Sequence, residues 1–335
     1  MIYHFILNPK SGKKRRYRHL EDTIKKACAD RKIEYQIHHT YGHNDATEYV
    51  AKMAAATDEK QRFIAIGGDG TLNTLVNSAP ENPNVEFGVI PAGTGNDYIR
   101  NFTKKKAFTD INAQIDGEAV TVDLIKCNER YCINMINIGL DCEVVKEAER
   151  LKKLWFIPVN LSYIAGLAVV SFRKIGTKMK LEYSDGSVID KFYTLTAIGK
   201  GKFCGGGFCA IPTADLSDGK LHSIAIDKIP LAKFLSLVIP YKLGKHLKSK
   251  RALKVIKYTA TDNLKMSFDN DISVCIDGEV FTAKEIELSV RRAAANFVVP
   301  KGCELIYKSP KKRRKKPRQK KQKKAIEQAQ NTQTQ

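Results

Sequence analysis

The stretch "FIAIGGDGTLNTLVNSAP", Phe63 to Pro80, decides the fold. An apolar run, typical of a buried strand, leads into a glycine turn that contains Asp69, and a segment of helical character follows. Glycines at a strand-to-helix turn let backbone N–H groups approach a phosphate closely, and the helix N-terminus favours negative charge. A carboxylate in the same turn repels phosphate. We therefore expect Asp69 to act together with a metal ion.

The first third of the chain alternates between strands and helices. This alternation predicts a parallel sheet whose two faces are covered by helices. In such sheets ligands bind beyond the carboxyl ends of the strands, which is where the loops after Leu7, Ile66 and Ile90 lie. The predicted strands are Ile2–Leu7, Ile33–His38, Phe63–Ile66 and Phe87–Ile90, and the predicted helices are Arg15–Ala29, Asp45–Ala56 and Leu72–Asn77.

From about Val120 onward the pattern changes to short β-branched segments that are separated by glycine turns. This pattern is typical of an all-β sandwich or barrel. Two stretches of helical character interrupt it, at about Cys142–Phe172 and Leu231–Lys248. The predicted fold class is therefore α/β plus all-β, with a cleft between an N-terminal Rossmann-like α/β domain and a β-rich domain.

The chain carries a net charge of +21, and much of the excess lies in a C-terminal run, Lys311–Lys324, that has eleven basic residues and no acidic one. Residues 309–335 have little to bury, so they are predicted to be a disordered polybasic tail. Such a tail can dock on anionic lipid headgroups, at about 1 kcal/mol per basic residue near the surface. A solubilising role is the alternative. No nucleic acid is expected as a partner, because the sequence lacks an RNA- or DNA-binding motif.

The eight cysteines show no zinc-ligand spacing, and the N-terminus does not have the pattern of a signal peptide. Reduced thiols in the cytoplasm are the simplest interpretation. The segment Trp155–Phe172 has no charged residue over 18 positions, but it contains Pro158 and Asn160. A buried or interfacial helix is therefore favoured over a membrane span.

The chain lacks the GxxxxGK[ST] sequence of P-loop proteins and the HRD and DFG segments of protein kinases. A nucleotide triphosphate would thus need another way to hold magnesium. Mg²⁺ prefers hard oxygen ligands and is usually bound through one or two carboxylates together with substrate phosphates. Asp69 and Asp97, at neighbouring strand ends, suit this task, and Asp123 is a third candidate.

Seven short motifs follow one another in an order that resembles the bacterial diacylglycerol kinase and YegS-like lipid kinase family, from residue 1 to about residue 308. The combination of the second and third motifs is specific, whereas GGDGT alone is shared with NAD kinases and phosphofructokinase-like enzymes. The motifs are "NPKSG" (Asn8–Gly12), "GGDGTLN" (Gly67–Asn73), "PAGTGND" (Pro91–Asp97), "GLD" (Gly139–Asp141), "GGG" (Gly205–Gly207), "SDGKL" (Ser217–Leu221) and "DGE" (Asp277–Glu279).

The resemblance implies an ATP-binding domain of the NAD kinase and phosphofructokinase-like type at residues 1–122, completed by residues 296–308. It also implies a β-sandwich lipid-substrate domain at residues 123–295. The implied reaction is the Mg²⁺-dependent transfer of the γ-phosphate of ATP to diacylglycerol or a related lipid alcohol, which gives phosphatidic acid in phospholipid metabolism. The implied location is the cytoplasm, in peripheral association with the inner face of the membrane. A homodimer is a further partner that the resemblance leaves open.

The resemblance also implies roles for individual residues. Asp69, Asp97 and Asp123 would form an aspartate–water–magnesium network. Glu279 would accept the proton of the lipid hydroxyl, with Asp277 beside it. The residues that would contact ATP are Asn8, Pro9, Lys10, Ser11, Gly12, Thr40, Gly67, Gly68, Asp69, Gly70, Thr71, Leu72, Asn73, Gly93, Thr94 and Asn96.

A second, structural magnesium ion, found in some members, would lie at Asp215, Asp218 and Lys220, two of which would bind it through backbone carbonyls. The chain departs from the family at Lys200, where many relatives have an asparagine before a glycine. Because this region lies near the expected lipid site, the departure bears on the identity of the acceptor.

Three alternatives stay open at the level of sequence. Glu279 and the "SDGKL" segment could be ordinary hairpin turns, in which Asp-Gly is common. The chain could be an NAD kinase on the same architecture, although "PAGTGND" and the "DGE" spacing argue against it. It could also be a lipid- or nucleotide-binding regulator without catalysis, but the intact Asp69, Asp97 and Glu279 argue against that.

Overall fold

The computed structural model describes residues 1–8, 14–42, 44–140, 142–143 and 176–306. Three predictions fall outside this part of the chain: the nucleotide contacts at Pro9–Gly12, most of the helical stretch at 142–172, and the tail at 309–335. No helix of the described residues is long and apolar enough to cross a membrane. The segment Trp155–Phe172 lies outside the described residues.

The N-terminal part has the predicted alternation. Its strands pair in parallel in the order β2-β1-β3-β4, so their carboxyl ends meet at one edge. Short 3₁₀ turns at Tyr98–Asn101 and Lys105–Thr109 follow the fourth strand. The elements are β1 (Ile2–Leu7), α1 (Lys14–Asp30), β2 (Tyr35–His39), α2 (Asp45–Ala56), β3 (Gln61–Gly67), α3 (Asp69–Ser78), β4 (Val85–Pro91) and α4 (Ile111–Ile115).

Both faces of this parallel sheet are buried. Phe5 and Ile64 pack with Ile24 of α1 on one face. Phe63 packs with Val50 of α2 and with side chains of α3 on the other face. Burial on both faces explains why β3 and β4 read as continuous apolar runs rather than as alternating patterns. The predicted α/β architecture is confirmed.

Among the described residues that follow, the strands pair antiparallel with one another, as the sequence predicted, and one α-helix lies between them, at the second of the two predicted helical stretches. That helix ends at Lys242 rather than Lys248, because Pro240 lies in its last turn and Gly244 takes a left-handed φ of 64°. The elements are β5 (Glu118–Cys127), β6 (Arg130–Cys132), β7 (Met135–Gly139), β8 (Thr177–Tyr183), β9 (Val188–Gly199), β10 (Leu221–Asp227), α5 (Leu231–Lys242), β11 (Ile256–Thr261), β12 (Asn263–Ile276) and β13 (Glu279–Val299).

Strand β13 belongs to both halves of the molecule. Its first part pairs antiparallel with β12, and its last part pairs parallel with β4 at Asn296 and Phe297. In the part of the chain that the structure describes, the strands therefore form one continuous hydrogen-bonded sheet. The register of β13 against β5 shifts between Arg291 and Ala295, and Ala293 has a φ of 52° there. Such a bulge re-aims the backbone.

Candidate functional site

The carboxyl ends of the parallel strands are joined by backbone and side-chain contacts. The Thr40 amide donates to the Leu7 carbonyl at 2.9 Å, and the amides of Ala92 and Gly93 donate to the Gly67 carbonyl at 2.8 and 3.2 Å. The Asn8 side chain donates to Thr71 Oγ1 at 3.4 Å. The predicted nucleotide-binding loops that the structure describes therefore lie side by side.

The two turns after β3 and β4 pack closely at two of their glycines, Gly67 and Gly93. A Cβ added at Gly93 would lie 2.5 Å from Gly68 Cα, and one added at Gly67 would lie 2.2 Å from Thr71 Oγ1. A Cβ added at Gly70 would meet nothing within 4 Å. Gly70 thus faces open space at the start of α3, where the helix N-terminus favours an anion.

Asp69 connects these two turns. It is the first residue of α3, and its carboxylate accepts hydrogen bonds from the amides of Asp97 at 2.9 Å and Tyr98 at 3.0 Å. A carboxylate at a helix N-terminus is also stabilised by the helix dipole. The acidic residue in the glycine turn therefore has a structural function that the sequence did not reveal.

Asp97 connects the α/β half to the β-rich half. Its Oδ2 accepts a hydrogen bond from the Gly206 amide at 2.8 Å, and its Oδ1 lies 3.0 Å from Arg100 Nε. Burial raises the pKa of the Asp97 carboxyl, and the nearby Asp69 charge raises it further. The three glycines at 205–207 all have a positive φ, which only glycine adopts easily. The "GGG" motif thus delivers a backbone donor to Asp97.

The carboxylates of Asp69 and Asp97 face the same space. A Cβ added at Gly95 would lie 3.2 Å from Asp69 Oδ2 and 3.3 Å from Asp97 Oδ2. Two carboxylates beside an open glycine turn fit Mg²⁺, which needs only one or two protein carboxylates when phosphates supply further oxygens. Within the described residues there is no group of three or more His, Cys, Asp or Glu side chains that could hold a metal ion by itself.

Asp277 lies at the turn of the β12–β13 hairpin, where Asp277 and Gly278 have φ values of 48° and 94°, as in a type I′ turn. Its buried carboxylate accepts hydrogen bonds from the amides of Ile133, Asn134 and Met135 at 2.8 to 3.1 Å, and from the Cys132 thiol at 3.3 Å. Burial raises the pKa of the Asp277 carboxyl to about 6.

Asp277 also reaches the α/β half of the molecule. The Asn73 side chain, with its amide nitrogen oriented toward the carboxylate, donates to Asp277 Oδ2 at 3.0 Å. The charge of Asp69 is close enough to raise the pKa of Asp277 further. Glu279, two residues later, is exposed at the start of β13. The hairpin that the sequence offered as the alternative for Glu279 is present, and it holds Glu279 at the same end of the hairpin as Asp277.

Three further residues predicted to contact the nucleotide, Leu72, Thr94 and Asn96, differ in how accessible their side chains are. The Leu72 side chain is buried in the core beneath α3, so only its backbone is available to a ligand. Thr94 is exposed in the turn after β4. The Asn96 side chain donates to the Gly93 carbonyl at 2.8 Å and thereby fixes the shape of this turn.

Asp123 belongs to a separate cluster. Its carboxylate accepts hydrogen bonds from the amides of Gly219 at 2.7 Å and Ala293 at 3.0 Å, and it pairs with Lys200 Nζ at 2.9 Å. The bulge in β13 therefore serves to aim the Ala293 amide at this carboxylate. In the part of the chain that the structure describes, these side-chain contacts of Asp123 run to this cluster and not to Asp69 or Asp97.

The same cluster contains the residues predicted to hold a second magnesium ion. Lys200 Nζ lies 2.7 Å from Asp218 Oδ1 and 2.9 Å from the Lys220 carbonyl oxygen. The Lys220 ammonium points elsewhere and pairs with Asp262 at 2.8 Å. Asp215 Oδ1 accepts a hydrogen bond from the Ser217 amide at 3.0 Å.

Sequence reasoning missed several residues of the site. The amides of Tyr98 and Gly206 carry no side-chain signal, although the "GGG" motif marks the second of them. The contact between Asn73 and Asp277 joins two motifs that are far apart in the chain. Lys200 was noticed only as a departure from the family, and a single sequence does not show which carboxylates it meets.

Comparisons with known proteins match both halves of the chain. The family described as "Diacylglycerol kinase catalytic domain" matches residues 3–127. The family described as "YegS C-terminal NAD kinase beta sandwich-like domain" matches residues 134–299. The two matches together span most of the chain, and the short interval between them contains β6.

Curated relatives include two staphylococcal proteins named diacylglycerol kinase. The protein of Staphylococcus aureus (strain MRSA252) is 31% identical over 285 residues, which cover 82% of this chain and 84% of the relative. The protein of Staphylococcus carnosus is 29% identical over 276 residues, with coverages of 82% and 87%. A crystal structure described as a diacylglycerol kinase from Bacillus anthracis str. Sterne is similar in fold, with a TM-score of 0.65 at 20% identity over 90% of this chain and 97% of that chain.

Proposed function

We propose that this chain, which belongs to the diacylglycerol kinase family and is an ATP-dependent lipid kinase, transfers the γ-phosphate of ATP to the hydroxyl of diacylglycerol or of a related lipid alcohol. The product would be phosphatidic acid or the corresponding lipid phosphate, which places the enzyme in phospholipid metabolism. ATP is the co-substrate, and Mg²⁺ is its expected partner.

One observation carries the proposal: the carboxylates of Asp69 and Asp97 face one space beside two glycine turns, and the β-rich half contributes Gly206 and Asp277 to the same place. Phosphoryl transfer needs mainly positioning and charge stabilisation. The turns offer backbone donors for phosphate, and the carboxylates offer hard oxygen ligands for a cation. These features suit a nucleotide at the strand ends and an acceptor on the β-rich side.

Different residues of the chain would bind the magnesium ion and the phosphates. Asp69 and Asp97 would hold the magnesium ion, which when bound offsets the charge of the phosphates. The turns at Gly67–Thr71 and at Gly93 to Asn96 would bind and orient the phosphates. Gly206, by donating to Asp97, fixes that carboxylate relative to the β-rich half.

Glu279 would act as the general base that accepts the proton of the lipid hydroxyl. Its exposure at the hairpin turn leaves the carboxylate accessible to a substrate, whereas the carboxylate of Asp277 is fully engaged by backbone donors. We therefore assign Asp277 the task of positioning the hairpin and Glu279 the contact with the acceptor. A general base must lie within hydrogen-bond reach of the proton that it removes, and this requirement is open to direct test.

The experiment is phosphate transfer from labelled ATP with magnesium to a panel of diacylglycerol, monoacylglycerol, ceramide, phosphatidylglycerol, an isoprenoid alcohol and NAD. We expect labelled product from one lipid alcohol and a loss of at least about 100-fold in kcat in Glu279→Ala, the size expected for a general base. Glu285→Ala is the matched control, because Glu285 lies on the same strand and pairs with the partly exposed Lys265 at 2.8 Å.

Two results would contradict the proposed reaction, and a third would contradict the proposed role of Glu279. Product from NAD alone would identify an NAD kinase on this architecture. The absence of product from every acceptor, in a protein that still binds ATP, would favour a non-catalytic regulator. Equal losses in Glu279→Ala and Glu285→Ala would remove Glu279 from the catalytic role but leave the reaction in place.

The lipid substrate lies in a membrane, so we propose a cytoplasmic enzyme that associates peripherally with the inner membrane face. The run Lys311–Lys324 supports this proposal by its charge, because clusters of basic residues are attracted to anionic lipid surfaces. This run lies outside the described residues.

A further inference from the structure

A buried lysine lies where the family resemblance predicts a second, structural magnesium ion. The side chain of Lys200, at the end of β9, has no solvent exposure. Its ammonium contacts Asp123 Oδ2 at 2.9 Å, Asp218 Oδ1 at 2.7 Å and the Lys220 carbonyl oxygen at 2.9 Å. An ammonium group has three donors, and these three oxygens match them in number.

Two of the predicted ligands of the ion therefore already bind the Lys200 ammonium. Both the Asp218 carboxylate and the Lys220 carbonyl contact Lys200 Nζ. Mg²⁺ requires near-octahedral oxygen ligands at about 2.0–2.1 Å and usually keeps several waters. An ion at this place would have to displace the ammonium, which has the same sign of charge and lies on a side chain without solvent exposure. The residues present do not fit the metal.

The second oxygen of Asp218 is also engaged by the chain itself. His222 Nε2 lies 2.8 Å from Asp218 Oδ2, and His222 Nδ1 lies 2.7 Å from the Tyr258 hydroxyl. Burial disfavours the ionised Asp218 carboxyl, but the hydrogen bonds from His222 and Lys200 outweigh it and hold its pKa well below the usual range. Asp218 is thus a charged partner whose two oxygens are both satisfied without a metal.

We propose that the ammonium of Lys200 takes the place of the structural magnesium ion in this chain. One covalently attached cation then joins β5, the end of β9 and the turn at residues 217–220, which a divalent ion would otherwise hold together. The inference rests on the family resemblance and on the contacts of Lys200, and it does not depend on which lipid accepts the phosphate.

Thermal unfolding of nucleotide-free protein, in EDTA and in millimolar MgCl2, tests this proposal. The wild-type Tm should be the same in both. Lys200→Asn, which removes the ammonium and leaves room for an ion, should lower the Tm in EDTA by roughly 5 °C, because the buried Asp123 carboxylate and the half-buried Asp218 carboxylate lose the cation that they share. Magnesium should restore part of that loss.

Lys265→Asn is the matched control. Lys265 also bridges two carboxylates, those of Glu285 at 2.8 Å and Glu287 at 3.1 Å, but all three side chains are largely exposed. Exposed ion pairs contribute little, so this variant should lose little stability and should not respond to magnesium.

A wild-type protein whose Tm rises with magnesium, and whose rise disappears in Asp218→Asn, would overturn the proposal. If Lys200→Asn fails to fold, Mn²⁺ binding to the wild-type and Asp218→Asn proteins, followed by electron paramagnetic resonance, decides the question. Equal binding by both supports the proposal, and a binding site that is present only in the wild type contradicts it.

A second, independent observation concerns the outer face of α5. Phe234, Leu237 and Tyr241 face the core, whereas Leu235 and Ile239 are 48% and 69% exposed. Leu243, directly after the helix, is 57% exposed. The spacing of four residues places the three exposed side chains in one stripe along the helix.

The segment of the chain that carries this stripe has basic but no acidic side chains. Residues 228–261 include no aspartate or glutamate. A second copy of the chain would bring two basic surfaces together, which disfavours self-association through this face. The basic residues of the segment are Lys228, Lys233, Lys242, Lys245, Lys248, Lys250, Arg251, Lys254 and Lys257.

We infer that the α5 face, defined as the stripe of Leu235, Ile239 and Leu243 with its basic surroundings, docks on an anionic lipid surface. Interfacial helices combine an apolar face that enters the headgroup boundary with Lys and Arg side chains that contact anionic lipids. The proposed function supplies the reason why this face would bind a membrane, since the substrate is a membrane lipid. The test is independent of that function, because it measures vesicle binding rather than phosphate transfer.

Co-sedimentation of the full chain with phosphatidylcholine vesicles, with and without phosphatidylglycerol, tests this docking. Ile239→Glu should weaken binding to the phosphatidylglycerol vesicles by at least about 10-fold, because a charge enters the apolar stripe. Activity on detergent-dispersed lipid should be unchanged. Val188→Glu is the matched control, since Val188 is an exposed apolar residue of β9 with a comparable exposure of 53%.

Unchanged vesicle binding in Ile239→Glu would contradict the inference. A wild-type dimer that dissociates in Ile239→Glu would also contradict it, by identifying the occupant as a second copy of the chain. Loss of binding together with intact detergent activity would support it. If the proposed lipid kinase reaction is wrong, neither the wild type nor Ile239→Glu should phosphorylate detergent-dispersed lipid.

Discussion

At the scale of single residues, the Asp69 carboxylate has two tasks that one substitution can separate. Asp69→Asn keeps one acceptor oxygen, so it loses one of the two hydrogen bonds to the amides of Asp97 and Tyr98. This loss should cost about 1–3 kcal/mol of stability and leave the protein folded. The missing charge should lower kcat by at least about 100-fold, as removal of one preorganised electrostatic contact does.

Steady-state kinetics and thermal unfolding of Asp69→Asn check both parts. Asp185→Asn is the control, because Asp185 accepts a hydrogen bond from the Ser187 amide in an exposed turn of the β-rich half. Near-normal activity in Asp69→Asn would show that the carboxylate in the glycine turn is structural only.

Asp277 gives a prediction about pH. Burial raises the pKa of its carboxyl to about 6, above the value of about 3.9 in an unfolded chain. Between these values the folded protein binds more protons than the unfolded one, so stability decreases as the pH rises. The Asp277 contribution is fully present below about pH 4 and is lost as the pH passes 6, by roughly 3 kcal/mol in total.

Urea unfolding of the wild type and Asp277→Asn at several pH values from 4 to 7 measures this effect. The wild type should lose stability relative to the variant across that range, because the amide cannot ionise. A difference in the free energy of unfolding that stays constant with pH would show that Asp277 is ionised throughout.

Single residues also mark the limit of what the sequence could predict. Residue type and position in a motif selected Asp69, Asp97 and Asp277, which the structure brings close together, whereas their roles in binding and catalysis stay predictions. The partners of Lys200 were beyond prediction, because Asp123 and the turn at residue 218 are far apart along the chain and meet only through the bulge and pairing of the strands.

At the scale of elements, the two glycine turns form a rigid pair, and Gly70 is the position that tests their purpose. A Cβ at Gly70 meets nothing within 4 Å in the protein, and Gly70 lies in the first turn of α3. Gly70→Ala should therefore leave the fold intact or stabilise it by up to about 1 kcal/mol through helix propensity. If the open space is the phosphate site, the same methyl group should weaken ATP binding at least about 10-fold.

Calorimetric titration with a non-hydrolysable ATP analogue and a thermal melt of Gly70→Ala measure the two effects in one protein. Normal nucleotide affinity in a stable variant would place the phosphates elsewhere. The corresponding variant in the other turn, Gly93→Ala, should behave differently. Its added Cβ would collide with Gly68, so the substitution should lower stability as well as nucleotide binding.

Elements were the level at which the sequence was most informative. The bounds of the helices α2 and α3 and of the four parallel strands were predicted to within three residues. Apolar runs mark these elements, and turn residues separate them. The end of the predicted helix at Leu231–Lys248 was wrong by six residues, because its apolar pattern continues past Pro240 and the left-handed Gly244.

At the scale of the whole molecule, one strand joins the two halves through backbone hydrogen bonds. β13 pairs with β12 in the β-rich half and with β4 in the α/β half, and Gly206 and Asp277 reach the strand ends from the β-rich side. The sequence predicted two domains with a cleft between them. It could not show this continuity, because hydrogen-bonded pairing between distant segments leaves no local pattern.

Two separate segments of the chain are basic and lack acidic residues, which gives the last prediction. Deleting residues 310–335 removes the run Lys311–Lys324 but leaves the basic segment at residues 228–261. Each basic residue near an anionic bilayer contributes about 1 kcal/mol or less, and the contribution decreases with salt. The truncated protein should therefore bind phosphatidylglycerol vesicles more weakly and with a smaller salt dependence, yet it should retain full activity on detergent-dispersed lipid. Vesicle co-sedimentation over a series of salt concentrations measures the change, and binding with an unchanged salt dependence would exclude the tail from membrane docking.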